Sequence, residues 1–201
     1  MKTISLVYIS LSGNTESFVT RLKDYLLSQY KGIEVQKIHI KDLVKEGKNF
    51  YEMDHPYVAF LPTYLEGGNG VDNGDVEILT TPVGDFIAYG NNASKCFGVV
   101  GSGNRNFNNQ YCLTAKQYSQ RFGFPVLADF EMRGMLEDIK HVAAIIADLY
   151  ELEKENLNSM KIKEQTRKLA VGCSKQCFEV VDGAQSTALQ IELTWFEEIL
   201  E

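Results

Sequence analysis

The fold of this chain is constrained most by an apolar run near its start, which leads through a short polar loop into an amphipathic helix. Residues 3–9, TISLVYI, are rich in β-branched and aromatic side chains, which is typical of a strand covered on both faces. Beyond the loop of residues 10–15, apolar residues recur at helical spacing, at Phe18, Val19, Leu22, Tyr25 and Leu26. A buried strand that passes directly into such a helix predicts a parallel sheet wrapped by helices.

The loop between this strand and helix has the composition of an anion-binding site. It has the sequence SLSGNT, from Ser10 to Thr15. A helix N-terminus presents unpaired amides and the positive end of the helix dipole, and Gly13 allows the tight turn that would aim them at an anion. The loop has no Lys and only one Gly, unlike the Walker A and GxGxxG patterns. Neutral donors of this kind suit the phosphate of FMN, which is anchored and never transferred; the alternative is a simple turn and N-cap.

Strands and helices alternate along the rest of the first 150 residues. We predict strands near residues 3–9, 33–39, 56–61, 95–101 and 125–130, and helices near 14–29, 81–89, 109–121 and 135–152, with a short helix or loop over 42–50. Right-handed crossovers between five such strands favour an α/β fold, a flavodoxin-like doubly wound parallel sheet in the order 2-1-3-4-5. Ligands of such sheets bind outside the carboxyl ends of the strands, here between the first and third strands.

The loops after the third and fourth predicted strands are unusual in composition. They have the sequences PTYLEGGNG, over residues 62–70, and GSGNRNFN, over residues 101–108. Gly and Asn tolerate positive φ and allow backbone to approach a flat ring closely. Tyr64 and Phe107 offer aromatic faces, although each alone is better explained by packing of its loop. Because three such loops converge on one crevice, they predict a ligand site there.

Composition and charge disfavour several classes of protein. The 201 residues are 44% hydrophobic and 23% charged, which is typical of one ordinary globular domain. A net charge of −7 without a stripe of Lys and Arg disfavours nucleic acid as a partner. No apolar run is long enough for a membrane span, and Met1 leads almost directly into the first strand, so we expect a cytoplasmic protein whose four cysteines are reduced.

The sequence predicts no metal site. The histidines lie far apart and are interpreted as structural: His39, His55 and His141. Cys173 and Cys177 form only a pair, without the two further ligands of a structural zinc site. Cys96 and Cys112 are interpreted as small core residues rather than redox thiols.

Four segments together resemble the NrdI family, the flavodoxin-like FMN proteins that serve class Ib ribonucleotide reductase. They are SLSGNT, PTYLEGG, GSGNRNFNNQYC and FPVLADFEMRG, and the third is the most distinctive, because ordinary flavodoxins as a rule lack GNRNF in this loop. The resemblance covers about residues 1–155. It implies an FMN protein that takes electrons from an unidentified donor and reduces dioxygen to superoxide. The superoxide would serve assembly of the dimanganese-tyrosyl radical cofactor of the reductase small subunit.

The resemblance also implies which residues contact the cofactor. Around the phosphate it places Ser10, Ser12, Gly13, Asn14 and Thr15. Beside the isoalloxazine ring it places Thr63, Tyr64, Gly67 and Gly68, and on the other side of the ring Gly101, Asn104, Asn106 and Phe107. No protein side chain is assigned a catalytic role, because the flavin carries the chemistry. The Gly67–Gly68 peptide is a candidate to turn its carbonyl toward N5 of the flavin.

Beyond the fifth strand and its helix, the chain no longer follows the pattern of the sheet. We predict an FMN-binding domain over residues 1–156 and a C-terminal appendage over residues 157–201, which either docks a partner or takes no part in the function. Two other functions stay open on the sequence alone. One is a general flavodoxin that carries electrons between soluble partners, and the other is a binding module that has kept the crevice and lost the cofactor.

Overall fold

A five-stranded parallel sheet organises the computed structural model, which describes residues 1–66 and 74–153. The strands are β1 (Lys2–Tyr8), β2 (Ile33–His39), β3 (Tyr57–Pro62), β4 (Cys96–Gly103) and β5 (Val126–Glu131). All neighbouring strands run parallel, in the order β2-β1-β3-β4-β5. The flavodoxin-like sheet predicted from the alternation of elements is therefore confirmed.

The described helices cover both faces of the sheet. They are α1 (Asn14–Gln29), α2 (Ile40–Lys45), α3 (Thr81–Ala88), α4 (Asn92–Lys95), α5 (Leu113–Phe122) and α6 (Leu136–Leu149), with a 3₁₀ helix over Arg105–Gln110. The helix predicted to begin near residue 109 starts later, because Asn108 and Cys112 have φ angles of 42° and 52°, which an α-helix does not accommodate. Among these described helices, none has the length and apolarity required to cross a membrane.

The core lies in two layers, one on each face of the sheet. Ile4 and Leu6 of β1 pack in the layer that also contains buried residues of α1 and α6. Val7 and Ile9 belong to the opposite layer, together with buried residues of α3 and α5. Successive side chains of a strand point to opposite faces, so a central strand covered by helices on both sides needs apolar residues throughout. This explains the nearly unbroken apolar run at residues 3–9.

The predicted appendage over residues 157–201 lies outside the described residues, as does the predicted boundary at residue 156. Residues 67–73, within the loop after β3, also lie outside them. Both the division into two parts and the role of the Gly67–Gly68 peptide therefore stay predictions.

Candidate functional site

A cavity of about 300 Å³ lies at the carboxyl ends of β1, β3 and β4. This is the position at which the strand order reverses, between β1 and β3. Seven of the residues predicted from the sequence line it: Ser12, Asn14, Thr15, Thr63, Tyr64, Asn104 and Phe107. Six further residues complete the described lining: Pro62, Leu65, Ser102, Gly103, Gln110 and Met132. None of these described lining residues is charged.

The loop after β1 is shaped by one glycine and one serine. Gly13 is the N-cap residue of α1 and has a φ of 82°, a left-handed conformation that favours glycine. The Oγ atom of Ser10 accepts a hydrogen bond of 3.2 Å from the backbone amide of Glu16, in the first turn of α1. A helix leaves the amides of its first residues, here Asn14 and Thr15, without intrahelical partners. Both residues line the cavity, so this helix end can bind an anion there.

Two side-chain contacts connect the start of α1 and its preceding loop to the ends of β3 and β4. The buried hydroxyls of Thr15, in α1, and Ser102, in β4, are 3.3 Å apart. On the other side, the hydroxyl of Tyr64 donates a long hydrogen bond of 3.4 Å to the Oγ atom of Ser12. Two pairs of the side chains that line the cavity are therefore in contact with each other.

The hydroxyl of Thr63 is the least expected feature of the cavity. Its Oγ1 atom is buried and has no hydrogen-bond partner among the described residues. The backbone amide of Thr63 donates to the carbonyl of Ser102 over 2.9 Å, which fixes the residue at the end of β3. Leaving a buried hydroxyl unpaired costs about 1 to 3 kcal/mol. An unpaired buried hydroxyl on a residue that lines a cavity calls for an explanation, and a ligand bound in the cavity is one.

The loop after β4 is held in its 3₁₀ turn by Asn104. The Oδ1 atom of Asn104 accepts a hydrogen bond of 2.9 Å from the amide of Asn106, and its carbonyl accepts one of 3.0 Å from the amide of Phe107. The Phe107 ring lines the cavity while 40% of the residue's surface remains exposed to solvent. Gln110 donates to the carbonyl of Gly74 over 3.1 Å, which ties this loop to the end of the loop after β3.

Four of the predicted contact residues do not line the cavity in the described part of the chain. Ser10 is buried at the start of the first loop, and its hydroxyl accepts the hydrogen bond from the backbone amide of Glu16. Gly13 supplies the turn, and Asn106 is exposed. Gly101 faces α5: a Cβ atom built on it would lie 3.0 Å from the Cβ atoms of Ala115 and Cys112, so its small size serves helix packing. Gly67 and Gly68 lie outside the described residues.

Two functional candidates that sequence analysis missed follow β5. Met132 lines the cavity, and its amide donates to the carbonyl of Gly103 over 2.9 Å. Arg133 donates from Nε to the Oδ1 atom of Asn14 over 3.0 Å, which places a positive charge beside the first loop. The strand order contained the signal, because β5 neighbours β4 and its carboxyl end therefore reaches the same edge of the sheet.

Both cysteines among the described residues, Cys96 and Cys112, are buried. Cys112 is 2% exposed and packs behind Gly101. Burial raises the pKa of the Cys112 thiol to about 12, and it does the same for Cys96 in β4. Since the thiolate is the reactive form, both cysteines behave as the core residues that the sequence predicted.

Comparisons with known proteins identify the family. The family model described as "NrdI Flavodoxin like" matches residues 6–144. An NrdI-like protein of Streptococcus pneumoniae (strain ATCC BAA-255 / R6) is 99% identical over 156 residues, which are 78% of this chain and the whole of that protein. The protein NrdI of Rhodococcus jostii (strain RHA1) is 34% identical over 164 residues, 81% of this chain and 95% of that protein.

A solved structure shows the same fold. It is a short-chain flavodoxin associated with a non-canonical PDU bacterial microcompartment, with a TM-score of 0.51 and 20% sequence identity, and the match covers 73% of this chain and 95% of that chain. The family match includes the loops after β1, β3 and β4, where the cavity lies. The chain belongs to the NrdI flavodoxin-like family.

Proposed function

We propose that this protein binds FMN in the cavity and, with electrons from a separate donor, reduces dioxygen to superoxide. The superoxide serves assembly of the dimanganese-tyrosyl radical cofactor in the small subunit of a class Ib ribonucleotide reductase. Membership of the NrdI flavodoxin-like family supports this function, and so does the position of the cavity at the reversal of the strand order.

The observation that carries the cofactor assignment is that the Thr63 hydroxyl has no partner among the described residues and that Thr63 lines the same cavity as the first turn of α1. FMN has a flat ring system whose polar edge can pair with a hydroxyl, and a phosphate that suits a helix N-terminus. The residues present fit both ends of the molecule. A neutral lining is sufficient for a permanently anchored phosphate, since no Lys is required for phosphoryl transfer.

Each loop has a distinct task in this proposal. The amides of Asn14 and Thr15 and the hydroxyl of Ser12 would hold the phosphate, with Arg133 adjacent. Thr63 would bond the edge of the ring system, and Tyr64 and Phe107 would contact its faces. When bound, FMN supplies the one- and two-electron chemistry, and the protein supplies position and electrostatics.

Replacing Thr63 with Val tests the cofactor assignment by two effects of opposite sign. Val has nearly the same shape but lacks the hydroxyl, so the ligand-free protein is expected to gain about 1 kcal/mol in its free energy of unfolding. FMN affinity is expected to fall about 5-fold, because the ring loses a hydrogen-bond partner. Urea denaturation and quenching of flavin fluorescence measure the two quantities.

Thr114→Val is the matched control for this variant. The hydroxyl of Thr114 in α5 is also buried without a partner among the described residues, yet Thr114 does not line the cavity. We expect a similar gain in stability and no change in FMN affinity. Equal FMN affinities for the Thr63 and Thr114 variants would contradict a contact between Thr63 and FMN.

The function as a whole is tested by reconstitution. The purified full chain is loaded with FMN, reduced anaerobically with dithionite, and then exposed to dioxygen in the presence of the manganese-loaded small subunit. We expect superoxide to be detected and a tyrosyl radical to appear in the electron paramagnetic resonance spectrum only when the loaded protein is present. A protein that takes up FMN and passes electrons to a one-electron acceptor, yet yields neither superoxide nor radical, would be an electron carrier instead.

A further inference from the structure

His39 contacts the loop after β1 from the edge of the sheet. It is the last residue of β2 and pairs in register with Tyr8, the last residue of β1. Its Nε2 atom accepts a hydrogen bond of 3.2 Å from the backbone amide of Ser10, and its Nδ1 atom lies 2.9 Å from the Oδ2 atom of Asp42 in α2. The imidazole also stacks on the Tyr8 ring, with 4.7 Å between centroids and 4° between planes.

These two hydrogen bonds define the proton positions on the imidazole. A backbone amide can only donate, so Nε2 must carry a lone pair. A carboxylate can only accept, so Nδ1 carries the proton. The His39 side chain is 13% exposed and the Asp42 side chain is 59% exposed, so the imidazole is largely buried while its contact with Asp42 lies at the surface. His39 holds the amide of Ser10 only while it is neutral.

From this geometry we infer that His39 is a positioning residue for the phosphate-binding loop, residues 10–15. Protonation of His39 then weakens the binding of the FMN phosphate by this loop. The inference rests on the proposed binding of FMN. Neutral His39 holds the backbone amide of Ser10, the first residue of the loop. The other end of the loop leads into α1, whose first amides would bind the phosphate.

Ser10 connects His39 to the N-terminal end of α1 through two hydrogen bonds. Its amide is held by His39, and its hydroxyl accepts the hydrogen bond from the amide of Glu16 described above. Ser10 is 5% exposed and is therefore confined between the two contacts. Loss of the bond to His39 frees one side of Ser10 and lets the first turn of α1, with the amides of Asn14 and Thr15, shift relative to the cavity.

The groups that surround the imidazole determine how a proton added to His39 affects the loop. Asp42 faces it from α2 and Tyr8 from β1, and Glu16 of α1 accepts a long bond of 3.5 Å from the Tyr8 hydroxyl. Burial, followed by the charges of Glu16 and Asp42, raises the pKa of Tyr8 to about 12, so Tyr8 is neutral near pH 7. A proton added to His39 keeps the contact with Asp42 and turns Nε2 into a donor that faces the donor of Ser10. Acid therefore opposes the loop conformation.

Two substitutions separate the acceptor from the titration. His39→Gln can place an oxygen acceptor near the position of Nε2 and does not titrate, whereas His39→Phe keeps the stacking on Tyr8 and removes the acceptor. His141→Gln, on the exposed face of α6, is the control for replacing a histidine away from the cavity. The probes are FMN and riboflavin, which lacks the phosphate, and their dissociation constants are measured by fluorescence quenching between about pH 8 and about pH 5.5.

At pH 8 we expect His39→Phe to bind FMN about 3- to 10-fold more weakly than the unsubstituted protein, the effect of one lost hydrogen bond, and His39→Gln to bind it nearly normally. On acidification the unsubstituted protein should lose FMN affinity more steeply than His39→Gln. The comparison is needed because a phosphate monoester itself gains a proton near about pH 6, which affects both proteins equally. Riboflavin affinity should be the same in all variants, and His141→Gln should follow the unsubstituted protein.

A constant ratio of FMN affinities between the unsubstituted protein and His39→Gln across this pH range would overturn the inference while leaving FMN binding intact. Equal effects on riboflavin and FMN would overturn the link to the phosphate.

Nitrogen NMR of the imidazole is an independent test that needs no flavin. At pH 8 we expect a protonated Nδ1 and an unprotonated Nε2, and the reverse tautomer would overturn the inference. If His39→Phe fails to fold, the His39→Gln ratio and this spectrum still decide. Failure of the unsubstituted protein to bind FMN at any pH would instead contradict the proposed function.

Discussion

Asn14→Asp is expected to weaken FMN binding about 100-fold and to leave riboflavin binding unchanged. The two side chains have almost the same shape, but the variant places a negative charge in the wall of the cavity at the first position of α1. Two like charges at roughly 5 Å and an effective dielectric constant of about 20 repel each other by about 3 kcal/mol, which corresponds to this loss. Arg133 is exposed, so its pairing with the new carboxylate is screened by solvent and offsets only part of the repulsion.

Stability and charge controls separate this effect from unfolding. An acidic residue in the first turn of a helix is favoured by the helix dipole, so Asn14→Asp should be at least as stable as the unsubstituted protein in thermal unfolding. Asn91→Asp changes the net charge equally, but Asn91 is the N-cap of α4, which leads into the opposite end of β4. It should bind FMN normally. Undiminished FMN affinity in Asn14→Asp would place the phosphate away from α1.

The sheet and its ligand edge could be predicted because their signals are local. The apolar run at residues 3–9 identifies a strand covered on both faces, and the helical spacing after it identifies α1. The polar loop between them then marks the carboxyl end of β1. Since five strands with right-handed connections allow few orders, the convergence of the loops followed from the elements alone.

The contacts of Ser102 with Thr15 and of His39 with Ser10 could not be predicted, because they depend on strand register and backbone conformation. A single sequence contains little information about either. Ser102 meets Thr15 because β4 pairs with β3 so that Ser102 is opposite Pro62 at the end of the sheet. His39 meets Ser10 for the same kind of reason, through its pairing with Tyr8. Strand boundaries predicted to within a few residues cannot give such pairings, because a shift of one residue turns every side chain to the other face.

The largest effect on stability is expected from Gly98→Ala, which should lower the free energy of unfolding by about 4 kcal/mol. Gly98 has a φ of 154° and follows an irregularity at which β4 has one residue more than β3. A Cβ atom there would lie 2.6 Å from Cγ of Leu127 and 2.7 Å from the carbonyl oxygen of Pro125. Because one neighbour is backbone, β5 would have to move away from β4, and urea denaturation should show the loss directly.

Gly123→Ala separates backbone strain from this steric clash. Gly123 ends α5 with a φ of 83°, and a Cβ atom built on it meets nothing within 4 Å, so only the conformational cost of about 1 kcal/mol is expected. The difference between the two variants therefore measures how closely β5 is packed on β4. Since β4 and β5 carry the loops that close one side of the cavity, Gly98→Ala should also reduce FMN affinity, whereas Gly123→Ala should not. Equal losses of stability in the two variants would mean that β5 moves away from β4 at little cost in free energy. The cavity wall that β5 supports would then also be easily displaced.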